Sequence, residues 1–165
     1  MGTSNAVMEA LKQALALEKS GQKFYRQAAA RTTDPKGKEM FGSLADDEVM
    51  HGETVQRQVD ALARGEGWIV SQGIEAVDVD LESPLFPEGK VELEKAVQPD
   101  ASDLDALLFA LKIESDSFNL YAEQAKAAED PNAKRLYEYL AAAERTHFNL
   151  LMLNYESLSS TGSFV

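Results

Sequence analysis

Apolar residues recur along this chain at intervals of three and four, in four long stretches. Leu11, Ala14, Leu15 and Tyr25 mark the first stripe; Phe41, Leu44, Ala45 and Val55 mark the second. Leu107, Ala110, Leu111, Phe118 and Tyr121 mark the third; Tyr137, Leu140, Ala141, Phe148 and Leu151 mark the fourth. That period belongs to helices with one buried face, not to strands. It predicts helices over about 4–31, 35–64, 102–128 and 131–158. Asp34-Pro35 and Asp130-Pro131 are strong helix starts, with Asp as N-cap and Pro at the first helical position. Ser102, followed by Asp103 and Asp105, is a suitable cap for the third helix.

Residues 65–101 break the pattern. They contain Pro84, Pro87 and Pro99 of the chain's five prolines, with Gly65, Gly67, Gly73 and Gly89. Helices near 30 residues are about 45 Å long, and a loose segment of this length can return along one. The expected architecture is therefore all-α: a single domain of two helical hairpins, about 4–64 and 102–158, joined by a long crossover.

The two hairpins are copies. Aligning residues 10–51 with 106–147 leaves Ala10, Leu11, Ala14, Leu15, Glu18, Tyr25, Ala29, Asp34, Pro35, Lys38, Leu44, Ala45, Glu48 and His51 unchanged. The match continues loosely to the C-terminus, where Phe164-Val165 falls opposite Trp68-Ile69. The sequence is thus expected to stop where the first copy would pass into its connecting segment.

Among the repeated residues are the chain's only two histidines, each three positions after a glutamate: Glu48 with His51, and Glu144 with His147. Thirty residues before each of those glutamates stands another, Glu18 or Glu114. All four glutamates lie in the middle of apolar stripes that carry no Lys or Arg. A buried carboxylate without a partner is costly, and four converging ones exceed what ordinary salt bridges can satisfy. Divalent metal supplies the missing charge. Glu-x-x-His suits it because both side chains leave one helix face about a turn apart. Asp47 and Glu53 lie near this motif but off its face, and are not expected among the direct ligands.

Composition removes whole classes of function. The chain has no cysteine, which excludes disulfides, thiol catalysis, iron–sulfur clusters and thiolate-bound iron. The net charge of -12 argues against nucleic acid and anionic membranes as partners. The first residues lack the basic and apolar blocks of a secretory signal, so a cytoplasmic location is expected. Trp68, after Gly65-Glu-Gly67, is expected to be a buried aromatic following a turn, against the alternatives of a bundle plug or a dimer contact. Met40, Met50 and Met152 are expected in the core.

On the repeated Glu…Glu-x-x-His residues the chain resembles the ferritin-like di-iron carboxylate superfamily, most closely its rubrerythrin-related members. That motif is a general mark of ferritin-like di-metal bundles. The resemblance implies terminal carboxylates at Glu18 and Glu114 and bridging ones at Glu48 and Glu144, with His51 and His147 giving one nitrogen to each ion. It implies two iron ions per chain, with manganese or zinc as alternatives. Tyr25 and Tyr121 stand seven residues after Glu18 and Glu114, where such sites place a tyrosine bonded to a ligand carboxylate. A packed core tyrosine is the other reading of both.

There are two departures from rubrerythrins proper. A chain without cysteine holds no rubredoxin module to feed electrons to the site. At the positions flanking the third-helix carboxylate, where an additional glutamate is associated with ligand switching, stand Leu111 and Ser117. The expected activity is reduction of hydrogen peroxide or dioxygen with an external electron-donor protein, in a homodimer. Ferroxidase activity, hydroxylation of an organic molecule, or a metal that merely staples a helical interaction protein are the alternatives.

Overall fold

The computed structural model describes residues 4–69, 73–86 and 102–165. Among the described residues four helices follow in order: α1 (Asn5–Arg31), α2 (Pro35–Ala63), α3 (Asp103–Ala127) and α4 (Pro131–Thr161). Pro87, Gly89 and Pro99, which helped to mark the crossover, lie outside the described residues.

The helix starts form as their residue types require. The Asp34 carboxylate accepts from Lys36 N at 2.8 Å and Gly37 N at 3.2 Å. Asp130 does the same for Asn132 N at 2.8 Å and Ala133 N at 3.3 Å. Each Asp satisfies two backbone donors that a helix's first turn leaves open. Three-residue turns at 32–34 and 128–130 make each hairpin antiparallel, and α1 packs on α2, α3 on α4, and α1 on α3. The result is the all-α four-helix bundle that the periodicity implied.

α4 runs three residues beyond the expected 158. Ser160 and Thr161 are weak helix formers, but their hydroxyls bond back to Glu156 O and Ser157 O at 2.9 and 2.8 Å. Gly162, at φ 76°, then ends the helix in the left-handed conformation that glycine adopts without penalty.

The copies also repeat beyond their helices. Trp68, half-buried, meets the Tyr137 ring edge-on at 5.8 Å, and its counterpart Phe164 meets Phe41 at 6.1 Å. Gln58 Oε1 accepts from Ile69 N, and Asn154 Oδ1 accepts from Val165 N in the matching place. Each aromatic thus packs against a tyrosine or phenylalanine of the opposite hairpin.

The crossover segment 73–86 has no helix or strand and lies over the second hairpin. Arg145 donates to Asp80 O at 2.8 Å and Ser83 O at 2.9 Å, while Leu85 and Phe86 are buried. Met50 corrects an expectation: it is 56 % exposed, because it points away from the stripe of Glu48, His51 and Val55. Met40 and Met152 are partly buried against the core. Among the described residues no helix is long and apolar enough to cross a membrane.

Candidate metal centre

All six Glu and His residues of the repeat are buried, and they meet between the hairpins. Each helix supplies them from its middle, where the apolar stripe faces the bundle axis. His51 Nδ1 lies 3.5 Å from Glu18 Oε2, 3.7 Å from Glu48 Oε2 and 3.8 Å from Glu144 Oε1. His147 Nδ1 lies 3.4 Å from Glu48 Oε1, 3.6 Å from Glu114 Oε1 and 3.5 Å from Glu144 Oε2. The two imidazole rings stack with centroids 5.6 Å apart.

These distances sort the residues into two groups. Glu18, Glu48, His51 and Glu144 offer ligand atoms within 4.8 Å of one another, and so do Glu48, Glu114, Glu144 and His147. Glu48 and Glu144 belong to both groups, the others to one each.

Tyr25 and Tyr121 are fully buried and hold the unshared carboxylates crosswise. The Tyr25 hydroxyl donates to Glu114 Oε1, and the Tyr121 hydroxyl donates to Glu18 Oε1. Each tyrosine therefore reaches the glutamate of the opposite hairpin. Burial, together with the charge of the bonded glutamate, pushes both phenols well above their usual range, so they remain donors.

Protons neutralise this cluster when cations do not. Burial pushes the Glu18 carboxyl up to about 7, aided by Glu48. Burial also pushes Glu144 well above the carboxylate range, and the charges of Glu114, Glu48 and Glu18 add to it. At Glu48 burial is outweighed by the neighbouring Glu18, His147 and His51, which hold it below its ordinary value. At Glu114 burial is likewise outweighed, by Glu144 and His147. Burial disfavours charged imidazole, yet Glu18 and Glu48 lift His51 to about 9, and Glu114, Glu144 and Glu48 lift His147 strongly.

The donor set fits divalent metal. Glu18 Oε2, Glu48 Oε1, Glu114 Oε2, both oxygens of Glu144 and both histidine Nδ1 atoms are buried without a hydrogen-bond partner. Unsatisfied groups of this kind are rare in folded proteins and costly. Carboxylates and imidazoles converging from four helices are what a hard or borderline cation requires.

The sequence profile of the ferritin-like domain matches residues 6–153. The chain belongs to the ferritin-like family. No protein of curated function and no solved structure matches it. A bundle of this family with a buried Glu/His cluster is compatible with a di-metal site.

One residue near this ferritin-like cluster escapes the periodicity argument. Asp47 Oδ2 lies 3.1 Å from His147 Nε2, on the side of the ring away from the carboxylates. It accepts the Nε2 proton and leaves Nδ1 to face the cluster, an arrangement that fixes a ligand's tautomer and orientation. Its partner belongs to the other hairpin, so a helical wheel of α2 shows nothing. The repeat counterpart of Asp47 is Ala143, so no carboxylate occupies the same place behind His51.

Proposed function

We propose that this chain is a rubrerythrin-like di-iron oxidoreductase that reduces hydrogen peroxide, or dioxygen, with electrons from a separate donor protein. The observation that carries the reading is the pair of four-residue groups sharing Glu48 and Glu144. Reduction of one peroxide consumes two electrons and two protons and yields two waters. Two bound iron ions would hold those two electrons at one place and polarise the oxidant.

The chain's own residues do the rest. Glu18 with His51, and Glu114 with His147, would each hold one ion, with Glu48 and Glu144 available to either. Tyr121 and Tyr25 fix the unshared carboxylates from opposite hairpins. Asp47 orients His147. Leu11, Leu44, Val55, Leu107, Leu140 and Leu151, all buried, keep bulk water from the cluster. The electrons would come from outside these 165 residues, which hold no cysteine for a thiolate-bound iron or an iron–sulfur centre.

Anaerobic titration with Fe(II), followed by rapid mixing with peroxide or with oxygen, tests the proposal. About two irons per chain, oxidised faster by peroxide than by oxygen, are the expected result, with binding lost in Glu48→Ala. A wild-type protein that binds no more iron than Glu48→Ala would sink it. Membership of the ferritin-like family favours a second reading, ferroxidase activity in iron handling. Faster reaction with oxygen, together with a native mass far above two subunits, would select that reading.

A further inference from the structure

The repeat places the same ligands in both hairpins but surrounds them differently. Between α1 and α2 a cavity of about 220 Å³ is lined by the buried Glu48 together with Leu15, Gln22, Val49 and Gly52. The exposed Lys19 and Glu53 stand at its rim. Two glycines keep this flank thin. A Cβ on Gly21 would stand 3.5 Å from Glu48 Cγ and 3.8 Å from Glu48 Oε2, while one on Gly52 would meet only Glu18 Cβ, at 3.7 Å. Glu48 is 4 % exposed, and its Oε1 has no hydrogen-bond partner.

Moving 96 residues on, the same places are filled. Gly21 becomes the buried Ser117, Gln22 becomes Phe118, Gly52 becomes Phe148 and Val49 becomes Arg145. Phe118 and Phe148 are each 2 % exposed. The Arg145 guanidinium covers the Phe118 ring at 4.7 Å and is itself held by the crossover carbonyls of Asp80 and Ser83. Phe86 packs edge-on against Phe148 at 5.0 Å. The second hairpin's flank is therefore plugged by aromatic rings and sealed by the crossover.

Resting on the oxidoreductase reading above, we propose that the gap between α1 and α2 is the port through which a small neutral oxidant reaches the shared carboxylate Glu48. Its volume is far more than one water needs, so dioxygen or hydrogen peroxide passes easily. Leu15 and Val49 suit an uncharged molecule, and the gap ends on a carboxylate that belongs to both groups. A competing cavity of about 280 Å³, between Met50, Thr54, Arg57, Ile74 and Tyr139, ends on His51. There the imidazole ring stands between the cavity and the carboxylates, since Nδ1 is the atom that faces them.

Copying the plug into the open side tests the port. Gln22→Phe/Gly52→Phe reproduces the second hairpin, and Gln22→Phe alone serves if the double variant does not fold. Amide-proton relaxation of the full-length chain under dissolved oxygen pressure reads access without requiring metal or turnover. Enhancement at Gly21, Glu48 and Gly52 is expected at least threefold above that at Ser117, Glu144 and Phe148. It should fall to the level of those counterparts in the double variant, and by at least half in the single one. With iron loaded, oxidation by peroxide should slow at least tenfold in the double variant while iron stoichiometry is unchanged. Equal enhancement in both hairpins, enhancement centred on Thr54 and Tyr139, or a peroxide rate indifferent to filling would overturn the proposal. If the wild-type chain binds no metal, the oxidoreductase reading fails, and the oxygen relaxation still decides whether the port exists.

Discussion

The α1/α2 hairpin and the α3/α4 hairpin present the same two glutamates, the same histidine and the same tyrosine at the same intervals, yet they are built to different tolerances. Behind Glu144 stand Phe118, Phe148 and the crossover; behind Glu48 stand glycines and a gap. Behind His147 stands Asp47, whose counterpart in the repeat is Ala143. Duplication supplies two equivalent halves of a site, and the flanking residues then give them different work. One half excludes solvent and fixes its imidazole, while the other gives access.

Core truncation should expose this difference most strongly. Phe148→Ala removes a ring packed against Phe86 and should cost about 3–5 kcal/mol of stability, as buried phenylalanines do. Gly52→Ala, at the matching position, should be neutral or stabilise by up to about 1 kcal/mol, because its Cβ has room and alanine favours helix. Denaturant unfolding of chelator-treated protein measures both. Equal costs would mean that the hairpins are packed alike.

A change of pH should act on the halves in turn. Glu18 holds its proton up to about 7 when folded and releases it near 4.5 when unfolded, so its contribution falls as pH rises across that interval. His51, at about 9 when folded and near 6.5 unfolded, contributes fully below 6.5, and this is lost as pH rises through 9. Glu114 and Glu48 have the opposite sign, stabilising above 4.5 and losing that effect as pH falls. Chelator-treated protein should therefore be most stable in mildly acidic solution and lose a few kcal/mol between pH 6 and pH 9. Carbon-detected titration should find Glu18 and His51 changing in that window while His147 stays protonated. A stability that rises steadily to pH 9 would contradict the assignment.

The smallest effect should come from the residue behind the ring. Asp47→Ala should weaken one of two binding events by roughly tenfold to a hundredfold and leave the other unchanged. Stepwise calorimetry with Zn(II) or Fe(II) resolves the two. Equal weakening of both would show that Asp47 acts on the whole cluster, not on the His147 half.

Periodicity made the helices and the six clustered residues legible, because a ligand on an apolar stripe must face the axis whatever its neighbours are. The same reasoning names a face and not a partner. It placed Tyr25 and Tyr121 beside the carboxylates without showing that each bonds across to the other hairpin. Asp47 was invisible for the same reason: its target comes from α4, 100 residues away. Met50 was read as core on residue type alone, although its helix position turns it outward. The C-terminal turn of α4 was missed because Ser160 and Thr161 are held there by their own hydroxyls.

The crossed tyrosine bonds carry a consequence for ancestry. A bond from Tyr25 to Glu114, mirrored by one from Tyr121 to Glu18, is the relation that a two-fold axis imposes on two identical pieces. A single hairpin owns three members of one group and one of the other, and cannot close its own tyrosine bond. Two separate copies of one hairpin, paired face to face, would possess both shared carboxylates, both imidazoles and both crossed bonds. The site needs no second gene half to be complete. Fusion into one chain adds only what a symmetric pair cannot have: one flank that is closed and another that is not.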